Sequence, residues 1–344
     1  MGTITIGILG LGRLGTSIGL ALKRYAASKE GARSGQTFTL TGFDGNDVVA
    51  KAAKAKQAVD AIVRSPIAAA ENRDIIILTL PYGEMREAYR LIGPALRQGA
   101  VVLDFGPLKR PAMDWVAKLP EGAHMVGITP VLNPAYLFDG LDDVDHAAAD
   151  LFDKGSMLIT PGATSDKDAV QLAADFSELL GATPLFADPI EHDGWIAAME
   201  GLPVMLGLAA FVTLSRDEGW SDIRKAGNPS FGRLTHHLRD SHPDDLRDLL
   251  LNNRENVIRH LDHLQVTLVE LRNLLAENNR AALEQVLIDA RDQYSVWLAR
   301  RRDGRWDESG NAEKGPSQSD VIMSGLMGGY LAGKLRRGKE RDDT

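Results

Sequence analysis

Residues 4–15 read I-T-I-G-I-L-G-L-G-R-L-G, a short apolar run set directly against a Gly10-x-Gly12-x-x-Gly15 turn, and an amphipathic stretch follows from Thr16 to Arg24. Strand, glycine turn and helix in that order predict a dinucleotide-binding βα unit. The first glycine makes the tight turn, the second admits a pyrophosphate against the backbone, and the third lets the helix pack close to its strand. A second strand, running T-L-T-G-F-D from Thr39 to Asp44, ends on an acid, where the hydroxyls of an adenosine ribose need a carboxylate. The interval from Gly15 to Asp44 is 29 residues, longer than the usual ~20. The polar segment Ser28 to Gln36 accounts for the excess as a surface insertion. Cofactor contacts are expected from Gly10, Leu11, Gly12, Arg13, Leu14 and Gly15, from Asp44, and from Leu80 and Pro81 after a later strand. Asp44 repels a 2′-phosphate and favours NAD; Arg13 could reach an adenosine phosphate and keeps NADP open.

After Asp44 the pattern goes on alternating: helix over 47–58, strand over 74–80, helix over 82–96, strand over 100–104, apolar segments at 125–128 and 156–160, helix over 166–180 and a last strand at 184–187. Continuous apolar strands alternating with helices predict an α/β fold, a parallel sheet covered on both faces. From Ile190 strand signals vanish, and helices are expected at about 190–215, 243–277 and 279–302. The expected division is therefore a Rossmann-type domain over 1–188 and an all-α substrate and dimerisation domain over 189–344. Val257, Leu261, Leu264, Leu268, Leu271 and Leu275 step by 4, 3, 4, 3 and 4, a narrow seam for a helix of the same chain or of a second subunit. A polar linker at 308–319, a short Gly-rich helix around 321–332 and a charged tail complete the reading.

At 344 residues the chain is long enough for two cores. Its 39 basic and 47 acidic residues give a net charge of −8, which argues against nucleic acid as a partner. The absence of cysteine excludes disulfides, thiolate metal sites and thiol nucleophiles and is compatible with a cytoplasmic setting. No metal signature is present. No run approaches 18 uninterrupted apolar residues, so no membrane span is expected, and the glycine-broken start is unlike a signal peptide.

Ligands of an open α/β sheet lie beyond the carboxyl ends of its strands. Three Gly- and Pro-rich segments fall there: L-P-Y-G from Leu80 to Gly83, D-F-G-P-L-K from Asp104 to Lys109, and G-I-T-P-V-L-N-P from Gly127 to Pro134. Three further runs accompany them: G-L-G-R-L-G-T-S-I-G-L-A-L-K from Gly10 to Lys23, the helix start Glu191-His192-Asp193, and the opening Asn253-Arg254-Glu255-Asn256. On these residues the chain resembles the prephenate and arogenate dehydrogenases of tyrosine biosynthesis from Ile4 to about Leu275. The resemblance implies a nucleotide domain followed by a helical dimerisation domain, giving a homodimer. It also implies oxidation of a cyclohexadienol carbinol by NAD or NADP, with loss of carbon dioxide making the product aromatic.

The same resemblance assigns catalysis to Thr129, Lys109 and His192, and substrate binding to His236 and Arg233. Three of the family's positions are changed here. Thr129-Pro130 stands where the family has histidine before proline, Pro107 stands where it has serine, and His236 replaces the arginine of a Thr-Arg pair that grips a substrate carboxylate. A threonine hydroxyl is no general base at pH 7. Low turnover on prephenate is therefore expected unless His192 or His236 has taken over. Two alternatives accompany this reading: a dehydrogenase for a different hydroxy acid with Lys109 or His192 as base, and a nucleotide-binding sensor. His124 is expected to be structural, and the adjacent His236 and His237 to point in different directions.

Overall fold

The protein is described by a computed structural model that covers residues 3–304 except 36, 117, 118, 163 and 164. The linker, Gly-rich helix and tail expected beyond residue 307 lie outside the described residues. Eight strands form one sheet: β1 (Thr3–Leu9), β2 (Thr37–Phe43), β3 (Ala61–Ile62), β4 (Ile75–Leu78), β5 (Val101–Asp104), β6 (His124–Val131), β7 (Ser156–Pro161) and β8 (Thr183–Phe186). Their order is β3-β2-β1-β4-β5-β6-β7-β8, which contains the 3-2-1-4-5-6 order of a dinucleotide-binding sheet. The order reverses between β1 and β4, and the crevice above that point belongs to the fingerprint. Alternate side chains of the apolar strands feed two cores. Ile75 and Ile77 pack with Ile6 and Ile8 on one face, while Ile76 and Leu78 pack with Leu9 and Tyr89 on the other.

The sheet is not wholly parallel as expected: β6 and β7 pair antiparallel, with Thr129 opposite Leu158. Parallel neighbours need a crossover, and residues 132–155 contain only the short 3₁₀ turns Pro134–Tyr136 and Val144–His146. Three further differences are local. The polar segment after Ser28 holds a short helix, Lys29–Ser34, capped by the Ser28 side chain and ended by Gly35 at φ 65°. A second short helix, Pro66–Ala70, is capped by Ser65. The helix expected over 243–277 is two, Pro243–Asn252 and Arg254–Ala276, separated at Asn253.

By compactness the chain divides into Met1–His260 and Leu261–Thr344. The first unit holds the sheet together with the helices up to His260. Its most apolar element is a continuous helical run, Pro189–Ser215, interrupted by a π turn at Ala197–Gly201. Pro203 explains the turn. A proline cannot donate to the carbonyl four residues back, and a local π adjustment absorbs the lost bond. Over its 27 residues this run is long and apolar enough, by length and composition, to cross a membrane, although it holds no stretch of 18 uninterrupted apolar residues. In the second unit lie the rest of Arg254–Ala276 and the helix Arg280–Asp303, with Asn278 at φ 51° in the turn between them. Along the leucine seam Val257 is buried, whereas Leu268 and Leu275 are 50% and 66% exposed.

Candidate active site

The fingerprint glycines meet three different surroundings. Gly10 has φ +96°, and a Cβ there would lie 2.4 Å from the Thr79 carbonyl oxygen. A Cβ on Gly15 would lie 2.0 Å from the Gly10 carbonyl oxygen, so the helix Arg13–Ala26 can approach β1 only without one. At Gly12 a Cβ would meet nothing within 4 Å. That open space lies at the start of a helix whose first turn carries no acid and no side-chain cap. Backbone N–H groups at such an end suit an anion. Asp44 stands beside it, one oxygen accepting from Leu11 N at 2.7 Å and the other from Asn46 N at 2.8 Å. A carboxylate has about four acceptor sites, so these bonds leave room for ribose hydroxyls. The surroundings fit a dinucleotide.

Register carries the cleft from this point across the sheet. Leu9 pairs with Leu78, Leu78 with Asp104, and Asp104 with Gly127. One residue beyond that line stand Gly10, Thr79 and Phe105, and Thr129 is two residues beyond it on β6. Three strand spacings, roughly 14 Å, separate the β1 end from the β6 end.

At the β6 end the Thr129 hydroxyl lies 2.8 Å from Nε2 of His192, and Nδ1 of His192 lies 2.9 Å from an Asp193 oxygen. The histidine is fully buried and Thr129 half-buried. Burial pulls His192 below the ordinary histidine value; the neighbouring Lys109 acts in the same sense, while Asp193 and Asp104 oppose it. Asp193 is fixed from two sides. Its carboxylate accepts from Lys109 N at 2.8 Å and Arg110 N at 3.0 Å, capping the helix Arg110–Val116, and its backbone carbonyl accepts from the Asn253 amide at 2.7 Å. Asn253 in turn accepts from Asn256 at 2.8 Å. The run from Asn253 to Asn256 thus braces the carboxylate that orients the imidazole.

Lys109, expected as a candidate base, is wholly buried. Its ammonium donates to the carbonyls of Asp104 (2.8 Å), Gly106 (2.5 Å) and Ile128 (3.1 Å), with the Asp104 carboxylate 3.7 Å away. Those three bonds use all three of its protons. Burial nevertheless lowers its pKa from the ordinary value. Gly127 is required by this arrangement, since a Cβ there would come within 2.7 Å of the lysine stem. Asp104 also accepts from Tyr89, at 2.6 Å, and from Gly106 N, at 2.7 Å. Burial and that carboxylate push the tyrosine well above its usual range.

Arg13, the residue that kept NADP open, has its guanidinium turned into the segment after β6. It is bidentate to Asp139 at 3.1 and 2.5 Å, donates to the Leu141 and His146 carbonyls, and sits 5.2 Å from the Tyr136 ring centroid. Only 4% of it is exposed. Leu80 is half-buried, and Pro81 precedes the helix Tyr82–Ile92 at the mouth of the crevice. Arg233 is exposed on the helix Pro229–Thr235. His236 is paired with Asp240 at 3.1 Å. Against expectation, its ring faces that of His237, with centroids 3.8 Å apart, because the helix ends at Thr235 and restarts at His237. No bond joins His236 or Arg233 to Thr129 or His192 among the described residues.

Sequence reasoning missed Asp193 and Asn253 as braces, although both lie in the quoted motifs, and missed Asp139 altogether. An acid next to the motif histidine was the available signal for Asp193.

Residues 28–185 match the family model described as prephenate dehydrogenase, nucleotide-binding domain, and residues 188–288 match prephenate dehydrogenase, dimerization domain. The cyclohexadienyl dehydrogenase of Zymomonas mobilis is 24% identical over 279 residues, 80% of this chain and 89% of that protein. The prephenate dehydrogenase of Bacillus subtilis is 23% identical over 303 residues, 87% of this chain and 77% of that one. Among solved structures, the prephenate dehydrogenase of A. aeolicus in complex with hydroxyphenyl propionate and NAD+ superposes with a TM-score of 0.71 at 22% identity, covering 86% of this chain and 99% of that one.

Proposed function

Because this chain belongs to the prephenate dehydrogenase family, we propose that it oxidises the ring carbinol of a carboxylated cyclohexadienol, prephenate or arogenate, with NAD as hydride acceptor. The observation that carries the reading is the line Asp193, His192, Thr129, which ends in a hydroxyl at the same edge of the sheet as the fingerprint. NAD, when bound, supplies an acceptor for the hydride that leaves the carbinol carbon. Gly10 to Gly15 hold its phosphates on their backbone, Asp44 takes the adenosine ribose, and Leu80 and Pro81 wall the crevice. Thr129 faces the carbinol. Lys109 ties the ends of β5 and β6 together and so fixes the height of Thr129.

Arg233 and His236 are assigned to the substrate's carboxylates. Support comes from Glu200, whose carboxyl burial pushes up while His236 opposes the shift. Glu200 lies eight residues along the same helical run as His192, roughly 12 Å at 1.5 Å per residue.

The helical run Pro189–Ser215 is assigned to a second copy of the chain. Its first turns are bonded into the α/β part through His192 and Asp193, while Met199 and Phe211 are 70% and 37% exposed. An apolar patch of this kind on a soluble protein marks a partner surface, and the dimerization-domain match covers it. Light scattering should give twice 37.3 kDa, and Met199→Lys with Phe211→Lys should weaken the assembly. A monomer at micromolar concentration would remove the dimer. A cytoplasmic setting is compatible with the cysteine-free sequence.

The function is tested by following nicotinamide reduction with prephenate and with arogenate. Turnover on either supports it. A protein that binds NAD and oxidises neither contradicts it.

A further inference from the structure

The dehydrogenase reading leaves open where the carbinol proton goes. Thr129 cannot keep it, because an alcohol is no base near neutrality, and the His192 imidazole is wholly buried behind it. We propose that Thr129 is a proton relay: its hydroxyl takes the carbinol proton while handing its own to Nε2 of His192.

Three features of the corner favour that direction of transfer. First, both Asp193 oxygens receive backbone N–H bonds, from Lys109 and Arg110, so the carboxylate is used as an acceptor. The proton shared between Asp193 and His192 then sits on Nδ1, and Nε2 keeps its lone pair. Second, Nε2 is 2.8 Å from the threonine oxygen, within hydrogen-bond reach, so the hydroxyl donates to it. Third, the titratable groups around the ring, Asp193 on its own helix and Lys109 and Asp104 from the β5 end, together with burial, leave it neutral in the resting protein. A neutral, correctly tautomerised imidazole is the form that can accept a proton.

In the oxidation the carbinol C–H bond breaks, and its electron pair leaves with the hydride for the oxidised nicotinamide. As the O–H bond breaks, its electron pair becomes the second bond of the new carbonyl. The released proton goes to the Thr129 oxygen as the threonine's original proton moves to His192. The resulting imidazolium is stabilised by Asp193, and the proton returns to water through Thr129 once product has left. A carboxylate, an imidazole and a hydroxyl in line are the arrangement that activates a serine nucleophile; here the hydroxyl conducts a proton and forms no bond to carbon. The β-branched threonine restricts its own rotation, which keeps the oxygen between ring and substrate. His192 touches neither substrate nor cofactor and acts through Thr129.

Two measurements on the full-length protein test the relay. Nitrogen NMR of His192 in the cofactor-free protein, assigned with His192→Asn, should show Nδ1 protonated and Nε2 bare at pH 7. A proton on Nε2, or an imidazolium, would overturn the proposal without any assay. In kinetics, Thr129→Val should lower kcat by about 10²- to 10⁴-fold, the range for a lost proton-transfer group, with NAD affinity unchanged. Thr129→Ser should retain most of the rate. A proton inventory of the wild type should curve, because two protons move together. Thr129→Val as fast as wild type removes the relay alone, whereas a wild type that oxidises no cyclohexadienol removes the dehydrogenase reading on which the relay rests.

Discussion

The two ends of the cleft are built on different principles. At the β1 end the working groups are backbone, and their geometry is set by where side chains are absent: Gly10 by its φ, Gly15 by close packing, Gly12 by open space. At the β6 end the working groups are side chains, brought together from the β5 turn, β6 and the helices beginning at Pro189 and Arg254. Backbone recognition resists drift because a Cβ at Gly10 or Gly15 collides with backbone, while one at Gly12 enters the open space a pyrophosphate needs. A side-chain constellation can be assembled from other positions: threonine stands where the resemblance places histidine, and the His192 imidazole lies 2.8 Å behind its hydroxyl.

If the two ends are separable, damage to each should have its own signature. The largest effect is expected from Gly12→Val. The site has room for the new side chain, so the protein should fold, but the space belongs to the pyrophosphate. Calorimetry should find NAD binding abolished with thermal stability unchanged; unaltered affinity would place the cofactor elsewhere. Next comes Lys109→Met, which leaves the carbonyls of Asp104, Gly106 and Ile128 without their donor and Asp104 without its nearby cation. Loss of one partner from a buried charged set costs about 3–5 kcal/mol. Denaturant titration should show a loss of that size, and a loss near zero would mean the lysine does not hold β5 to β6.

A smaller effect concerns pH. The folded pKa of His192 lies below its ordinary value of about 6.5. The relay therefore keeps its neutral acceptor as pH falls through that value, and the acid limb of kcat should lie lower still. Stability follows the same window. Below about pH 6.5 the unfolded chain binds the proton that the folded imidazole refuses, so the contribution is present above the window and is lost as pH falls through it. An acid limb above 6.5 that disappears in His192→Asn would contradict the shift. The smallest effect is expected from Asp139→Asn. Freed from its bidentate partner, Arg13 can turn toward the cofactor, and NADP affinity should rise by up to roughly tenfold, one charged hydrogen bond. Wild type should prefer NAD. No gain in the variant would show that Arg13 is held by the Leu141 and His146 carbonyls alone.

What could be read from the sequence follows the same division. The fingerprint, the acid ending β2 and the alternation of strands with helices were legible because backbone rules act over a few residues. The antiparallel β7 was not, since an apolar strand carries no mark of direction; that was set by a connection too short of structure to cross over. Nor was the corner at Thr129. Thr129 and His192 are 63 residues apart in the chain, and only the sheet register and the capping of the helix Arg110–Val116 by Asp193 bring them to 2.8 Å. Low turnover was expected unless His192 or His236 has taken over; the structure brings His192 within 2.8 Å of the Thr129 hydroxyl, and no bond joins His236 to Thr129 among the described residues. Lys109 is the converse case: on a Gly- and Pro-rich turn it resembles a surface base, and the fold buries it.

If the relay operates, the corner of Thr129, His192 and Asp193 handles the carbinol proton as well as a directly placed histidine would. Steady-state kinetics of wild type and Thr129→His on prephenate and arogenate test it most directly. Wild-type turnover is expected in the ordinary enzymatic range of about 1–10³ per second, with Thr129→His no faster. A slow wild type that Thr129→His accelerates would show instead that the corner is a damaged site and that His192 has not taken over.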